Sequence, residues 1–250
     1  MLKEEILEDI PIYWINLARE KDRREKMEQL LEGLNNTRIS AYDGDKLTEA
    51  EVRKYNKSKQ LDRNLTKYEI ACALSHLKVL KKIYYDGHPY ALVLEDDINF
   101  DYFRHIGFRL KDVAKLSDTC IQLSIMCSDN RKWYKLRRFA EGSFIEDVNY
   151  DSAGAYLIHR EYISKVLFNS KNLTVADDPH HNFIYSEKSV SLNIPIFCLD
   201  ETSKVSSINQ ENINYQQRMT VKWEHFMIEI KKKMNIDEEE GIYLNTIREL

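Results

Sequence analysis

In the run Tyr90-Ala91-Leu92-Val93-Leu94-Glu95-Asp96-Asp97-Ile98 an apolar strand passes directly into three consecutive carboxylates. Charges of one sign this close resist ionising together, so the cluster calls for a cation or a donor-rich ligand among its oxygens. Hard carboxylate oxygens suit Mg2+ or Mn2+ better than Zn2+ or copper, and the sequence reads as holding no His/Cys cluster with zinc-ligand spacing to compete. Strand alternation sends Glu95 and Asp97 to one face and Asp96 to the other. The expected ligand pair is therefore Glu95 with Asp97, with Asp97 as the metal residue and Asp96 serving a turn.

A strand ending in this way belongs to an open α/β sheet, whose ligands sit beyond the carboxyl ends of its strands. Residues 10–17 read as a first strand and 19–34 as a charged helix with Met27, Leu30, Leu31 and Leu34 on one side. Residues 37–41 form a short second strand that breaks at Asp43-Gly44, where glycine would supply a strained turn backbone. A short helix over 48–55 and a polar loop over 56–64 follow. Thr66-Lys67-Tyr68-Glu69 fits the reciprocal capping box, which gives Glu69 a structural task. Ile70, Ala73, Leu74, Leu77, Leu80 and Tyr84 then recur at helical spacing, and Gly87-His88-Pro89 ends the helix and launches the acidic strand. Ser75 and His76, adjacent on that helix, point about 100° apart and cannot serve one point.

A helix over 101–116, strands over 120–125, 144–148 and 155–159, a helix over 161–167 and a strand over 194–198 complete the alternation. It predicts a mostly parallel, Rossmann-like, doubly wound sheet flanked by helices. Residues 214–234 and 237–250 predict C-terminal helices, the first carrying a packing stripe of Met219, Trp223, Phe226, Met227 and Ile230. The last could pack on the domain or form a homodimer.

The chain has 250 residues, 43% of them hydrophobic, enough for one large domain with a core of its own. Charged residues reach 31% but balance to −4, so no global field marks a nucleic-acid or membrane-surface binder. Arg131-Lys132-Trp133-Tyr134-Lys135-Leu136-Arg137-Arg138 reads first as a solvated strand or loop and second as an acceptor contact. Cys72, Cys120, Cys127 and Cys198 lie mostly in apolar stretches, as reduced buried thiols do, and predict no disulfide framework. Met1-Leu2-Lys3-Glu4-Glu5 lacks the apolar run of a signal peptide, and no stretch approaches the ~20 apolar residues of a membrane span. The expectation is a cytoplasmic protein without a transmembrane segment.

Four segments in this order resemble glycosyltransferase family 25, which includes bacterial lipooligosaccharide galactosyltransferases and the collagen galactosyltransferases. They are Ile15-Asn16-Leu17 with Arg19, Asp22 and Arg23; Ala41-Tyr42-Asp43-Gly44; Glu69-Ile70-Ala71-Cys72 with Ser75-His76; and Leu92 to Asp97. Gly154-Ala155-Tyr156-Leu157-Ile158 is a fifth, weaker match. The resemblance implies a GT-A type fold, a UDP-sugar donor, a divalent cation (Mn2+ or Mg2+) and inversion at the anomeric carbon. Residues 1–125 would then form the nucleotide-sugar half, 126–213 the acceptor half and 214–250 a helical extension of one domain.

On that resemblance Asn16 and Leu17 would meet the uracil ring, and Arg19 and Arg23 would neutralise the diphosphate or order the nucleotide loop. Asp43 and Gly44 would line the nucleotide pocket and His76 the donor site. Glu95 would take ribose or a water-bridged metal contact, Asp96 sugar hydroxyls, and Asp97 the metal. Inversion needs a carboxylate base, which is Asp177 or Asp178, with His180 or His181 as a further metal ligand from the same loop. The implied reaction moves a hexose, galactose first, to a glycan, lipid-linked saccharide or protein hydroxyl. Two other classes suit the acidic strand tip: a metal-dependent phosphoryl-transfer enzyme and a non-catalytic glycan-binding module on the same fold.

Overall fold

The computed structural model describes residues 2–56, 64–100, 108–115, 118–123 and 153–167 with their side chains, and residue 116 by its backbone. It adds the backbone of 168–169 and of short strands at 136–139, 143–146, 190–192 and 198–199. The loop at 57–63, Asp177, Asp178, His180, His181, Cys127, the basic-aromatic run up to residue 135 and both C-terminal helical segments lie outside these residues.

After a short helix α1 (Lys3–Ile6), the chain enters β1 (Ile12–Asn16), whose residues are all buried. Helix α2 (Lys21–Leu30) returns it to β2 (Asn36–Ser40), and a 3-10 turn (Gly44–Lys46) leads into α3 (Glu49–Tyr55). The long helix α4 (Lys67–Asp86) starts on the expected capping box: Thr66 Oγ1 accepts from Glu69 N at 3.2 Å while Glu69 Oε2 accepts from Thr66 N at 2.6 Å. It stops at Gly87, whose φ of 81° is left-handed and whose N–H reaches back to Ile83 O. Strand β3 (Tyr90–Glu95) follows, then β4 (Ile98–Asn99), α5 (Leu110–Val113) and a 3-10 turn (Ala114–Leu116). The later elements are β5 (Cys120–Gln122), β6 (Leu136–Phe139), β7 (Ser143–Glu146), β8 (Ala155–His159), α6 (Arg160–Asn169), β9 (Val190–Leu192) and β10 (Cys198–Leu199).

Eight strands form one sheet in the order β2-β1-β3-β8-β5-β9-β7-β6. Its first three strands are parallel, as the β-α alternation predicts, with Ile15 opposite Glu95 and Asn16 opposite Ser40. Beyond β3 the directions mix: β8 runs antiparallel to both β3 and β5, while β5 and β9 are parallel. Between β5 and β8 the described elements are β6 and β7, which pair antiparallel with each other. Of the helix expected over 101–116, residues 101–107 lie outside the described residues; α5 begins after Arg109, an extended N-cap, and strand β4 occupies the chain just after the acidic turn. β4 pairs with β10, bringing residues 198–199 beside that turn.

Ile70, Ala73, Leu80 and Ile83 of α4 pack with Tyr13 and Ile15, Ala91 and Val93, and Tyr156 and Ile158 on one face of the sheet, joined by Tyr162 and Ile163 of α6. The alternate residues Ile12, Trp14, Leu92 and Leu94 are buried as well, so these strands are covered on both faces. The result is the helix-flanked α/β sheet expected of a GT-A type fold. It brings the carboxyl ends of β1, β2 and β3 together.

Candidate functional site

β3 keeps its strand geometry only as far as Glu95, and Asp96 and Asp97 stand in the turn that follows. Alternation therefore ends at Glu95, and the expectation that it sets Glu95 and Asp97 on one face and Asp96 on the other is corrected: strand geometry does not fix how the three carboxylates face. Asp96 and Asp97 share a cation instead: Arg23 Nη1 is 3.2 Å from Asp96 Oδ1 and 3.9 Å from Asp97 Oδ2. Asp96 is buried, and its other oxygen accepts from Asn16 Nδ2 at 2.6 Å. Asn16 is itself fixed, its Oδ1 accepting from Arg38 Nε at 3.0 Å and Nη2 at 2.8 Å and its Nδ2 also donating to Glu20 O at 3.1 Å. Burial pushes the Asp96 carboxyl above its ordinary value, and the neighbouring Glu95 adds to this, while the Asn16 bond and the Arg23 charge oppose it.

Glu95 turns toward α4. Its Oε1 lies 3.1 Å from His76 Nε2, and His76 Nδ1 lies 2.9 Å from the Tyr156 hydroxyl, with the two rings stacked. A carboxylate only accepts, so Nε2 carries the proton in this contact and Nδ1 accepts from Tyr156. Burial pushes the Tyr156 phenol well up, so it remains a donor. His76 is only 2% exposed and both its nitrogens are engaged, one by Glu95 and one by Tyr156. Ser75 faces elsewhere: its hydroxyl donates to Ala71 O and accepts from Tyr42 N, tying the 41–42 segment to α4.

A second cluster stands beside the first, beyond β1 and β2. Arg19 Nη1 lies 2.5 Å from Asp43 Oδ1 and 3.3 Å from Asp45 Oδ2, and Asp45 Oδ1 accepts from Lys67 Nζ at 2.7 Å and Tyr68 Oη at 2.8 Å. Partial burial works against the Asp43 anion, yet the Arg19 bond and the Asp45 N–H together hold its carboxyl below the usual value. Gly44 needs no strained backbone, contrary to the sequence expectation, because its φ is not positive. What it provides is room: a Cβ there would stand 2.5 Å from Tyr68 Cδ1 and 3.1 Å from Tyr68 Cα. A cleft of about 270 Å³ opens here between Arg19, Ala41, Tyr42, Asp43 and Leu47.

Of the residues singled out from the sequence, Asn16, Arg23, Glu95, Asp96 and Asp97 converge at the β1/β3 end, with His76 behind them. Arg19, Asp43 and Gly44 line the neighbouring cleft wall or its support. Leu17 joins them through the backbone only, accepting from Glu20 N at 2.9 Å, and Asn16 O is taken by Ala41 N. Glu95 and Asp97, with side chains 30% and 17% exposed, stand on either side of buried Asp96 in the chain, and their hard carboxylate oxygens are of the kind that Mg2+ or Mn2+ takes. Sequence reasoning gave no site role to Arg38, Tyr156 or Cys72. Tyr156 and Cys72 stand in the matched segments, and Cys72 also carried the signal of its spacing of four residues from His76 on a helix.

Residues 9–180 match the family described as Glycosyltransferase family 25 (LPS biosynthesis protein). Among relatives, procollagen galactosyltransferase 2 of Mus musculus is 33% identical over 100 residues, covering 36% of this chain and 16% of that protein. Putative glycosyltransferase R655 of Acanthamoeba polyphaga mimivirus is 42% identical over 100 residues, covering 38% of this chain and 30% of that protein. A glycosyltransferase involved in the glycosylation of the major capsid of PBCV-1 superposes with a TM-score of 0.41 at 10% identity, over 85% of this chain and 98% of that one. With the matched stretch running from before β1 to beyond α6, and so through the acidic turn and the cleft beside it, the chain belongs to glycosyltransferase family 25.

Proposed function

We propose that this chain is an inverting glycosyltransferase that moves a hexose from a UDP-sugar to a hydroxyl of a glycan, lipid-linked saccharide or protein. The observation that carries the reading is the buried Asp96 locked between Asn16 and Arg23, which presents Glu95 and Asp97 at the carboxyl end of a parallel strand pair. Galactose is the first donor sugar to test, because relatives over this region are named galactosyltransferases.

Glu95 and Asp97 would hold Mn2+ or Mg2+, with His180 as a third ligand. When bound, the ion supplies charge to offset the negative charge gathering on the departing diphosphate. Arg19, at the mouth of the cleft and 37% exposed, exchanges its bonds to Asp43 and Asp45 for the diphosphate oxygens, while the cleft accommodates the base. His76, held by Tyr156, keeps Glu95 from rotating away. Asp177 or Asp178 takes the proton of the acceptor hydroxyl as its oxygen bonds to the anomeric carbon, and the electrons of the breaking C1–O bond go to UDP.

UDP release from a panel of UDP-sugars, with Mn2+ and with or without acceptor glycans, tests this directly. Turnover of one UDP-hexose above the others is expected. Neither turnover nor binding with any of them would sink the reading.

A further inference from the structure

Cys72 and His76 are four positions apart on α4 and so leave the helix on the same side. Glu95 meets them there. The Cys72 sulfur, a His76 ring nitrogen and a Glu95 carboxylate oxygen all lie within 4.8 Å of one another, the one such group of three His, Cys, Asp or Glu side chains among the described residues. Metal bonds of about 2.0–2.3 Å place neighbouring ligand atoms about 3–4 Å apart in a tetrahedron. One edge, His76 Nε2 to Glu95 Oε1, already measures 3.1 Å, and the others need to close by no more than about 1 Å to meet that geometry.

The surroundings suit an ion at this point. Metal-bound histidines are held by a partner on the other ring nitrogen, and here His76 Nδ1 is 2.9 Å from the hydroxyl of fully buried Tyr156. That hydroxyl both donates and accepts, so the ring can move its proton from Nε2 to Nδ1, donate it to Tyr156 Oη, and present the Nε2 lone pair. Cys72 and Glu95 are only partly buried, which leaves an approach from solvent. A thiolate and an imidazole select a softer ion than the oxygen set of Glu95 and Asp97 does.

The geometry points to a Zn2+ site formed by Cys72, His76 and Glu95, with Tyr156 orienting His76 and a fourth position open to water. One thiolate and one carboxylate balance the charge of the ion, and binding releases the Cys72 proton to solvent. Because Glu95 belongs to both sites, Zn2+ fixes it against α4.

Cobalt reads the sulfur ligand without reference to any sugar transfer, so failure here is separate from failure of the proposed reaction. Titration of the chelator-treated full chain with Co2+ is expected to raise a near-ultraviolet thiolate-to-cobalt band that Zn2+ then removes. Cys72→Ser should abolish the band, and Tyr156→Phe should weaken Zn2+ binding about 10-fold or more. A wild-type protein without the band, or a band that survives in Cys72→Ser, overturns the site. Should Cys72→Ser not fold, alkylation of Cys72 in the wild type, followed by peptide mass spectrometry, decides the matter. Saturating Zn2+ must slow labelling there, and an unchanged rate overturns the proposal.

Discussion

Asn16 at the end of β1 donates to the buried carboxylate of Asp96 at 2.6 Å, joining residues 80 positions apart and setting where the acidic turn begins. The same amide takes two bonds from Arg38, so one side chain fixes the ends of β1, β2 and β3 together. Asn16→Ala leaves buried Asp96 with one donor fewer and the half-buried Arg38 guanidinium without its Asn16 acceptor. A loss of about 1–3 kcal/mol is expected for such stranded groups, measured by denaturant unfolding. A change within about 0.5 kcal/mol, ordinary for a surface site, would show that the network does not hold the turn.

Asp96 should also leave a signature in the pH dependence of stability. Its folded pKa lies above the ordinary 3.8, chiefly through burial, so the native state holds this proton more tightly than the unfolded chain does. The Asp96 contribution therefore becomes less favourable as pH rises from about 3.8 through the raised native value, and stays constant above it. Asp96→Asn removes the titrating group. Urea unfolding of both proteins across this range should show wild-type stability falling relative to the variant as pH rises; a relative rise would mean that Asn16 and Arg23 outweigh burial.

Chelation and Asp97→Asn test the hard-oxygen site from two sides. If Asp97 holds the cation of the proposed transfer, EDTA should abolish UDP release and Mn2+ restore it. Asp97→Asn, which keeps size and loses charge, should lower release by about 100-fold or more, the scale of losing one transition-state charge contact. Wild-type rates in the variant would place the cation elsewhere.

How much of this the sequence discloses depends on whether the cause is local. The capping box at Thr66 and the stop at Gly87 are decided by residues a few positions apart, and both stand where the sequence puts them. The facing of Glu95, Asp96 and Asp97 turns on whether the strand runs one residue further, and no periodicity decides that over so short a stretch. The reversed direction of β8 is equally silent, since burial alternates alike in parallel and antiparallel strands. Cys72 and His76 show their spacing in sequence, but Glu95 reaches them only when β3 packs beneath α4.

Thr48 and Thr66 both open helices with reciprocal caps, yet the two helices have very different stakes in the fold. α3 buries none of its residues, whereas α4 buries nine, His76 among them. Thr66→Ala should cost about 1 kcal/mol of global stability. Thr48→Ala should leave the global transition nearly unchanged and instead speed amide exchange in α3, because a helix held to the core only by the half-buried Val52 and Tyr55 opens locally. Equal effects on global unfolding would indicate that α3 folds as part of the core.

Gly44 offers the sharpest separation of space from backbone freedom. Its φ lies outside the left-handed region, so alanine meets no conformational penalty there, but the new Cβ would press on the Tyr68 ring and backbone. Tyr68 cannot simply swing away, because its hydroxyl donates to Asp45, which also pairs with Lys67 and Arg19. Gly44→Ala is expected to cost about 1–3 kcal/mol, the range for overpacking a tight contact. Pairing it with Tyr68→Ala, which removes the ring but keeps the backbone contact, should recover most of that increment. The double variant would then show positive coupling in a thermodynamic cycle, whereas simple additivity would mean that the crowding comes from the Tyr68 backbone alone.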